Sequence, residues 1–282
     1  MESFHRAADL RARLDHALAG GCRIGFVPTM GALHAGHLRL IERAAQENSF
    51  TVVSIYVNPT QFNNPSDLRT YPRQPEKDLA LLRSVGCDAV WFPSDDEMYP
   101  EGVSSGNFDL GVLDKVIEGH HRPGHFQGVA TVVDALFRTV RPHAAYFGEK
   151  DFQQVAVIRR MVEVTGHDVE IIACPTVRES DGLALSSRNL RLSPDERPKA
   201  TMLSKALFYL RDQGIHESLP NALLEARDII AQEPEIDLEY LEVVNPVTFE
   251  RLIEWPAQTE VRACISAHLG DVRLIDNVGI IA

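Results

Sequence analysis

The feature that most constrains the fold is the alternation of short apolar strands with amphipathic helices along the first 178 residues. Strands are predicted at 24–27, 51–57, 89–92, 144–147 and 169–173. Helices are predicted at 3–18, 76–85, 127–140 and 152–164, and a helical pattern after Gly31 and Gly36 runs through Leu38, Leu40, Ile41 and Ala44. Strands joined through helices form a parallel sheet covered on both faces. Residues 1–178 are therefore predicted to form a doubly wound α/β domain.

The pattern changes after residue 178. The segment Ser193-Pro194-Asp195-Glu196 predicts a helix start, because Ser can cap, Pro fits the first turn and Glu can complete a capping box. Helices at 194–212 and 220–232 are followed by short strands at 240–244, 261–268 and 273–276. Residues 179–282 are predicted to form a smaller C-terminal α+β domain.

Composition restricts the partners. The 282 residues carry 28 basic and 40 acidic side chains, a formal net charge of −12, which argues against a nucleic-acid partner. No apolar run approaches membrane-spanning length, and the first ten residues lack the apolar core of a signal peptide. The four cysteines show no metal or disulfide spacing. We expect a soluble, cytoplasmic protein with reduced thiols.

The most informative segment, Val27–Leu38, lies where the first buried strand passes into a helix. Gly31 and Gly36 let the backbone approach a ligand closely. His34 and His37 are three residues apart, so they can share one face of the helix start. Protonated imidazoles beside free helical N–H groups suit a triphosphate. A metal pair lacks a nearby third ligand, and two structural histidines in a turn are the simplest alternative.

A second polar segment, Arg178–Asn189, contains the adjacent residues Ser186, Ser187 and Arg188. Two hydroxyls and one guanidinium can form a phosphate clamp. An exposed interdomain linker is the alternative.

A third segment, Phe147–Gln154, begins where the fourth strand ends. Gly148 permits a tight turn, and Lys150 can reach a phosphate as a point charge. Asp151 can orient Lys150 or help to hold Mg²⁺ on a triphosphate, and one of the two glutamines that follow can face the site. An exposed turn of mixed charge is the alternative.

Two further segments carry polar groups. Asn58 and Gln61, after the second strand, suit the hydroxyl and carboxylate groups of a small substrate, although Asn58-Pro59 is also a common turn. The loop 118–129 contains three histidines and three glycines. We interpret it as a mobile substrate loop or lid, with Arg122 and His125 as candidates, rather than as a metal cluster.

Together these segments resemble the pantothenate synthetase family. The resemblance rests on P-T-M-G-A-L-H-A-G-H, Y-V-N-P-T-Q-F, Y-P-R-Q-P-E-K-D, R-P-G-H-F-Q-G-V, F-G-E-K-D-F-Q-Q and D-G-L-A-L-S-S-R-N, in the family's order and spacing. It is dense over about residues 22–192. The histidine motif alone is shared by a wide nucleotidyltransferase superfamily that includes class I aminoacyl-tRNA synthetases.

The resemblance implies a Rossmann-like domain (1–178) that binds nucleotide and pantoate, a C-terminal lid domain (179–282) and a homodimer. It also implies a two-step ligase reaction, in which ATP and (R)-pantoate give pantoyl adenylate and β-alanine then gives pantothenate and AMP. Mg²⁺ would enter through ATP, possibly with Asp151, and no metal site is built by protein alone. By matching positions, the resemblance implies an ATP site at Met30, Gly31, Ala32, Leu33, His34, Ala35, Gly36, His37, Gly148, Glu149, Lys150, Asp151, Val177, Leu185, Ser186, Ser187 and Arg188.

The resemblance assigns roles to some of these residues. Gln61 and Gln154 match the pantoate site, with Asn58 as a further candidate, and Gln61 also matches the β-alanine site. The candidate catalytic residues are His34, His37, Lys150 and Arg188, with His37 matching the family's proton donor. Leu185 and Ser187 replace the Met and the second Lys of the related K-M-S-K-S loop, which leaves Arg188 and Lys150 to carry positive charge.

Two other functions remain open at this point. A nucleotidyltransferase of the same superfamily would leave the nucleotide on its product. A non-catalytic module would bind ATP without pyrophosphate exchange. The absence of a nucleophilic triad does not exclude a ligase, because the carboxylate of the substrate is itself the nucleophile.

Overall fold

The computed structural model describes all residues from 1 to 282, which divide into two compact units, Met1–Pro175 and Thr176–Ala282. The boundary predicted from sequence lies at 178/179, and the roles assigned to the two domains remain predictions. No helix in the chain combines the length and the apolar character needed to cross a bilayer. All four cysteines are free thiols, three of them buried.

The first unit contains a six-stranded, fully parallel sheet in the order β1-β4-β3-β2-β5-β6. The strands are β1 (Glu2–Phe4), β2 (Ile24–Thr29), β3 (Phe50–Ile55), β4 (Ala89–Trp91), β5 (Ala144–Gly148) and β6 (Glu170–Cys174). The long helices are α1 (Ala7–Ala19), α2 (Ala35–Glu47), α4 (Pro75–Ser84), α7 (His125–Val140) and α8 (Phe152–Thr165). Short helices are α3 (Pro65–Thr70), α5 (Asp95–Met98) and α6 (Glu118–His121).

Successive strand residues point to opposite faces of the sheet, and each face carries its own apolar core. Phe26, Val52 and Trp91 pack into one cluster with residues of α1, α7 and α8. Their neighbours Val27 and Val53 pack into the other cluster with residues of α2 and α4. This two-sided burial explains why the strands are almost continuously apolar. The predicted doubly wound, Rossmann-like class is confirmed.

The second unit pairs β7 (Ile236–Val244), β8 (Glu260–Leu269) and β9 (Val272–Ile281) into an antiparallel sheet. Residues of α10 (Thr201–Asp212) and α11 (Leu219–Ala231) share one apolar core with these strands. The predicted capping box is present, because Ser193 N donates to Glu196 Oε2 at 2.8 Å and Glu196 N donates to Ser193 Oγ at 3.2 Å. The predicted α+β class of this unit is confirmed.

Two predicted helices are wrong in detail. The helix predicted over 3–18 begins only at Ala7, because Glu2–Phe4 instead pairs in parallel with Ala89–Trp91 as an edge strand. The helix predicted over 194–212 is divided at Ala200 into α9 (Glu196–Lys199) and α10. A three-residue strand carries too little periodicity to be distinguished from a helix start.

Candidate active site

The polar segments of the first unit follow strands β2, β3 and β5, at the carboxyl edge of the sheet. Strands β2 and β5 are neighbours in the middle, and the chain proceeds outward from them in opposite directions. This reversal of strand order is a topological switch point, where the connections diverge and leave a crevice at the carboxyl ends. The histidine segment follows β2, and the lysine segment follows β5. The fold therefore brings these two segments to the same crevice.

The loop from β2 to α2 has an unusual backbone. Gly31 has φ of 79° and Ala32 has φ of 50°, so two successive residues are left-handed, which is unfavourable for Ala. The N–H groups of Ala32 and Leu33 donate to the two carboxylate oxygens of Asp78 at 2.9 and 2.8 Å. A Cβ on Gly31 would lie 3.0 Å from Asp78 Oδ2. The buried carboxylate from α4 thus fixes this loop.

Both histidines shape the start of α2. His34 is the N-cap residue, and its Nδ1 accepts a hydrogen bond from Gly36 N at 3.1 Å. His37 Nδ1 accepts from His34 N at 3.4 Å, and the two ring centroids are 4.1 Å apart. Because each Nδ1 accepts, each neutral ring carries its proton on Nε2. Each imidazole can therefore donate one hydrogen bond to a ligand.

The environment keeps both imidazoles uncharged. Burial lowers the pKa of His34 to about 4, with Lys150 adding to the decrease and Asp151 opposing it. Burial, followed by the charges of His34 and Lys150, lowers the pKa of His37 well below its ordinary value. At pH 7 the pair is neutral in this structure, whereas the sequence interpretation invoked the protonated form. The Nε2–H groups of His34 and His37 can therefore donate hydrogen bonds although neither ring is charged.

Lys150 lies in a 3₁₀ turn, Glu149–Asp151, directly after β5. Its Nζ is 3.3 Å from Asp151 Oδ1, and its side chain is 15% exposed, against 43% for Asp151. Its effect on the pKa values of both histidines shows that the ammonium group lies near them. The structure therefore combines one fixed cation with two neutral donors, an arrangement suited to phosphate oxygens.

Gln61 is held in place through its backbone and its side chain. Its carbonyl accepts from Arg122 Nη2 at 3.2 Å and contacts His125 Nδ1 at 2.7 Å. Its Nε2 donates to Met30 Sδ at 3.1 Å, which connects the segment after β3 with the loop after β2. Gln61 is only partly buried, so its amide combines a fixed position with access to a ligand.

Asn58 supports Gln61 and is not itself accessible. It is 1% exposed, and its Nδ2 donates to Gln61 Oε1 at 3.0 Å and to Gly128 O at 3.2 Å. Its Oδ1 accepts from Thr60 and from the hydroxyl of Tyr99. The amide of Asn58 is bonded within the protein in this structure, and a contact of Asn58 with substrate stays a prediction.

Of the two glutamines that begin α8, only one is available. Gln153 is buried, with its Nε2 donating to Leu113 O and Val116 O, both at 2.8 Å, and its Oε1 accepting from Glu118 N at 3.0 Å. Gln154 is partly exposed and makes no side-chain hydrogen bond within the chain. Gln154, the residue chosen from the sequence, is therefore the one left for a ligand.

The histidine loop contacts the Gln61 turn through Arg122 and His125, and its mobility stays a prediction. His125 is buried and its ring contacts Arg122 Nη1 at 3.0 Å as well as the carbonyl of Gln61. Arg122 also lies 3.6 Å from the carboxylate of Glu118. These bonds make Arg122 and His125 supports of the Gln61 peptide. No group of three or more His, Cys, Asp or Glu side chains in the chain could hold a metal ion.

The Ser-Ser-Arg segment belongs to the second unit. Leu185 N donates to Val177 O at 2.9 Å, so these two predicted residues are adjacent in space. Ser186 Oγ accepts from Arg188 N at 3.3 Å and caps a 3₁₀ turn, Ser187–Arg191, in which Ser187 is buried. Ser186 and Arg188 are both partly buried. A common nucleotide for this segment and the histidines stays a prediction.

Several supporting residues were not predicted from the sequence. Asp78, Thr60 and Tyr99 bond to the predicted residues, and a Cβ on Gly128 would lie 2.3 Å from Thr60 O. Asp78 and Gly128 lie within motifs that carry the family resemblance, which is the only signal that marked them. Nothing in their spacing relates them to the segments that they contact.

The fold and the polar residues at the carboxyl edge of its sheet define a class of protein. This class is a Rossmann-like α/β protein with a pair of histidines at the N-terminus of the helix that follows a central strand. A family model described as pantoate-beta-alanine ligase matches residues 2–279. A pantothenate synthetase from Bacteroides fragilis is 49% identical over 278 residues, which cover 99% of this chain and 98% of the relative. The chain belongs to the pantoate–β-alanine ligase family.

Solved structures agree with this assignment. The crystal structure of pantothenate synthetase from Thermus thermophilus is 47% identical and covers 99% of both chains with a TM-score of 0.92. A pantoate-beta-alanine ligase from Francisella tularensis, crystallised with beta-gamma ATP and beta-alanine, is 35% identical with a TM-score of 0.82 and covers 99% of this chain and 97% of its own. The suspected family resemblance is confirmed.

Proposed function

We propose that this protein uses ATP to join (R)-pantoate to β-alanine, with pantothenate, AMP and pyrophosphate as products. The observation that carries the proposal is the neutral imidazole pair beside Lys150 at the switch point of the sheet. Membership of the ligase family supports the same reaction. The Francisella relative, crystallised with beta-gamma ATP and beta-alanine, supports these two substrates.

In the first step a carboxylate oxygen of pantoate attacks the α-phosphorus of ATP. The bond from that phosphorus to the bridging oxygen breaks, and pyrophosphate leaves with the electron pair. Negative charge develops on the phosphoryl oxygens and on pyrophosphate, so fixed donors aimed at these oxygens lower the barrier. The Nε2–H groups of His34 and His37 and the ammonium group of Lys150 supply such donors. No protein nucleophile is required.

In the second step the amine of β-alanine attacks the acyl carbon of pantoyl adenylate. AMP leaves as the amide bond forms, and the attacking nitrogen loses a proton. The proton goes to water, because both Nε2 atoms already carry a proton and both Nδ1 atoms accept backbone hydrogen bonds. The lowered pKa values of both histidines keep the rings neutral at pH 7, so their Nε2–H groups can donate to the phosphate of the departing AMP.

The residues of the proposed ATP site come from three segments. The first is Met30–His37, in which the Nε2–H groups of the two imidazoles are the proposed phosphate donors. The second is Gly148–Asp151, which supplies Lys150. We assign Val177 and Leu185–Arg188 to ATP as well, with Arg188 as a second cation for the phosphates.

We assign pantoate to the amides of Gln61 and Gln154, and β-alanine also to Gln61. Gln61 is supported by its bonds to Asn58, Arg122 and His125, whereas Gln154 has free hydrogen-bonding capacity. Neutral amides can serve both the hydroxyl groups and the carboxylate of pantoate.

Mg²⁺ is proposed to enter with ATP. The carboxylate of Asp151, half exposed beside Lys150, is a suitable oxygen ligand at the edge of the proposed phosphate site. When bound, the ion would neutralise charge on the phosphates. We further propose a cytoplasmic homodimer, which light scattering after size-exclusion chromatography would test through the molar mass of the particle.

The direct test mixes the protein with ATP, Mg²⁺, pantoate and β-alanine and measures AMP, pyrophosphate and pantothenate. Pyrophosphate release should require pantoate, and pantothenate should require both acids. The His37→Ala variant should lose most of the rate while its circular dichroism is unchanged, because one phosphate donor is removed. AMP release that is unchanged without either acid would refute the proposal, and a stable adenylylated product would indicate a nucleotidyltransferase.

A further inference from the structure

Asp78 is a buried carboxylate for which the reaction gives no direct use. It is 1% exposed and lies in the first two turns of α4. No Lys, Arg or His lies within ion-pair distance of it, and its side-chain oxygens bond only to the N–H groups of Ala32 and Leu33. A charged group is rarely buried without a cation, because losing its hydration is costly. The loop after β2 supplies two N–H donors, one to each oxygen of the carboxylate.

The geometry of the loop matches this carboxylate. The consecutive N–H groups of Ala32 and Leu33 point to the same carboxylate from a turn in which Gly31 and Ala32 have positive φ, and we call this pair of donors the nest. Each carboxylate oxygen of Asp78 takes one of these N–H groups. Glycine is favoured at residue 31, because a Cβ would lie 3.0 Å from both Asp78 Oδ2 and Ile55 Cγ2 and the backbone has a φ of +79°.

The nest is joined directly to the imidazole pair. Leu33 is followed by His34, whose backbone is extended and whose ring caps α2. His34 N in turn donates to Nδ1 of His37. A shift of the Ala32 and Leu33 peptides therefore moves the cap and rotates both rings. The Nε2–H donors are thus connected, through Leu33 and His34, to a buried carboxylate that bonds to the backbone of the loop.

We propose that Asp78 is a positioning residue, whose carboxylate fills the nest at Gly31–Leu33 and thereby aims the imidazoles of His34 and His37 at the phosphates of ATP. The proposal rests on the function proposed above. It predicts that Asp78 affects the chemistry of adenylate formation through the loop, without contact to the substrates.

The test compares Asp78→Asn with a matched control, Asp88→Asn, in the full-length protein. Asparagine keeps the shape but offers one acceptor oxygen and an NH₂ group that opposes a backbone N–H. Asp88 accepts one backbone bond, from Thr51 N at 2.8 Å, at the opposite edge of the sheet. Single-turnover formation of pantoyl adenylate at saturating ATP should slow by about 10- to 100-fold in Asp78→Asn. Asp88→Asn should stay within about threefold of wild type.

A second readout reports on the rings directly. In ¹⁵N spectra of the histidine side chains without ATP, wild type should show Nδ1 as the acceptor in both residues. Asp78→Asn should change the Nδ1 shifts of His34 and His37, whereas Asp88→Asn should not. A structural role alone would lower the melting temperature of both variants without moving these signals.

The outcomes separate the two proposals. Wild-type protein without pantoate-dependent pyrophosphate release would refute the proposed function. Active wild type with an Asp78→Asn rate and ring signals equal to those of wild type would refute the positioning role. If Asp78→Asn does not fold, amide hydrogen exchange is measured in the wild-type protein instead. Slow exchange of the Ala32 and Leu33 amide protons would support the bonds to Asp78. Exchange at the rate of exposed loops would refute the positioning role.

Discussion

The side chains of His34 and His37 each use one ring nitrogen to shape the backbone and leave the other for a ligand. The Nδ1 atoms accept from Gly36 N and His34 N, which satisfies two of the free N–H groups at the start of α2. Local folding and ligand recognition thus depend on the same two rings. Because burial keeps both rings neutral, their charge state is part of the stability of the fold as well as of the site.

The lowered pKa of His34 predicts a loss of stability in mild acid. Between pH 6.5 and about 4, the unfolded chain binds a proton at this ring that the folded chain does not bind. The free energy of unfolding should therefore fall as the pH decreases through this window, by on the order of 2 kcal/mol from this ring. The measurement is urea unfolding at a series of pH values, for wild type and His34→Asn.

Asparagine can cap the helix but does not titrate in this range, so His34→Asn should lose less stability in acid than wild type. The exposed His16 in α1 provides the control, because His16→Asn should keep the wild-type slope. Equal slopes for wild type and His34→Asn would show that the ring does not carry this effect.

Lys150 is the fixed cation next to the histidines, so Lys150→Ala should slow adenylate formation by about 10²- to 10³-fold. The fold should survive, because the ion pair with Asp151 is partly exposed and contributes little. Rapid-quench measurement of pyrophosphate release would show the decrease. The exposed Lys77 in α4 is the matched control, and Lys77→Ala should be near wild type. A rate close to wild type in Lys150→Ala would contradict the assigned role.

At the scale of elements, helix α7 determines where the turn after β3 lies. Gly128 in α7 lets its helix approach the turn Pro59–Gln61 so closely that a Cβ would lie 2.3 Å from Thr60 O and 2.9 Å from Gln61 N. The carbonyl of Gly128 also accepts from Asn58 Nδ2. The position of the Gln61 amide therefore depends on a contact between two backbones, with no room for a side chain.

Gly128→Ala should push this turn away from α7, because the backbone atoms of Thr60 cannot yield as a flexible side chain would. We expect the KM for pantoate to rise about tenfold or more, with a smaller change in the KM for ATP, and a stability loss of about 1–3 kcal/mol. Steady-state kinetics and thermal unfolding would measure both. Arg138→Ala, on the exposed side of the same helix, should change neither KM appreciably. Equal changes in the two KM values would contradict the assignment of Gln61 to pantoate.

The parallel sheet could be predicted from the sequence for two reasons. Strands that are buried on both faces appear as continuous apolar segments, and parallel strands must be connected by helices that appear between them. The edge strand Glu2–Phe4 was missed, since its pairing with Ala89–Trp91 is a long-range contact with no local pattern. At the proposed site, Gly31, His34 and His37 could be singled out because their types and local order carry information, whereas Gln154 was selected over Gln153 only through the family resemblance. Asp78 and Tyr99 were not, because their roles arise only when segments distant in sequence meet.

At the scale of the whole molecule, the chain holds two tryptophans, one in each compact unit: Trp91 in the first and Trp255 in the second. Each unit also has its own apolar core. Unfolding can therefore be followed in each unit separately, through Trp255→Phe for the first and Trp91→Phe for the second. The unfolding midpoints of these two variants then show whether one ligand stabilises both units.

ATP at about 100 times its dissociation constant should stabilise a unit that binds it by about 2.7 kcal/mol. If Arg188 and its neighbours contact ATP as proposed, urea midpoints from both tryptophans should increase when ATP and Mg²⁺ are added. The Arg188→Ala variant should lose most of the increase seen through Trp255 and keep much of that seen through Trp91. An increase seen only through Trp91 would show that the Ser-Ser-Arg segment does not take part in binding.

The neutral state of the two imidazoles has a thermodynamic consequence for nucleotide capture. A polyanion placed against the rings favours their cationic form, so the complex should take up hydrogen ions from the surrounding solution. Near pH 6, titration calorimetry should then give a heat of ATP association that varies linearly with the ionisation enthalpy of the buffer. The slope of that line equals the number of hydrogen ions taken up per ATP bound, and the slope should be smaller in the His34→Asn variant.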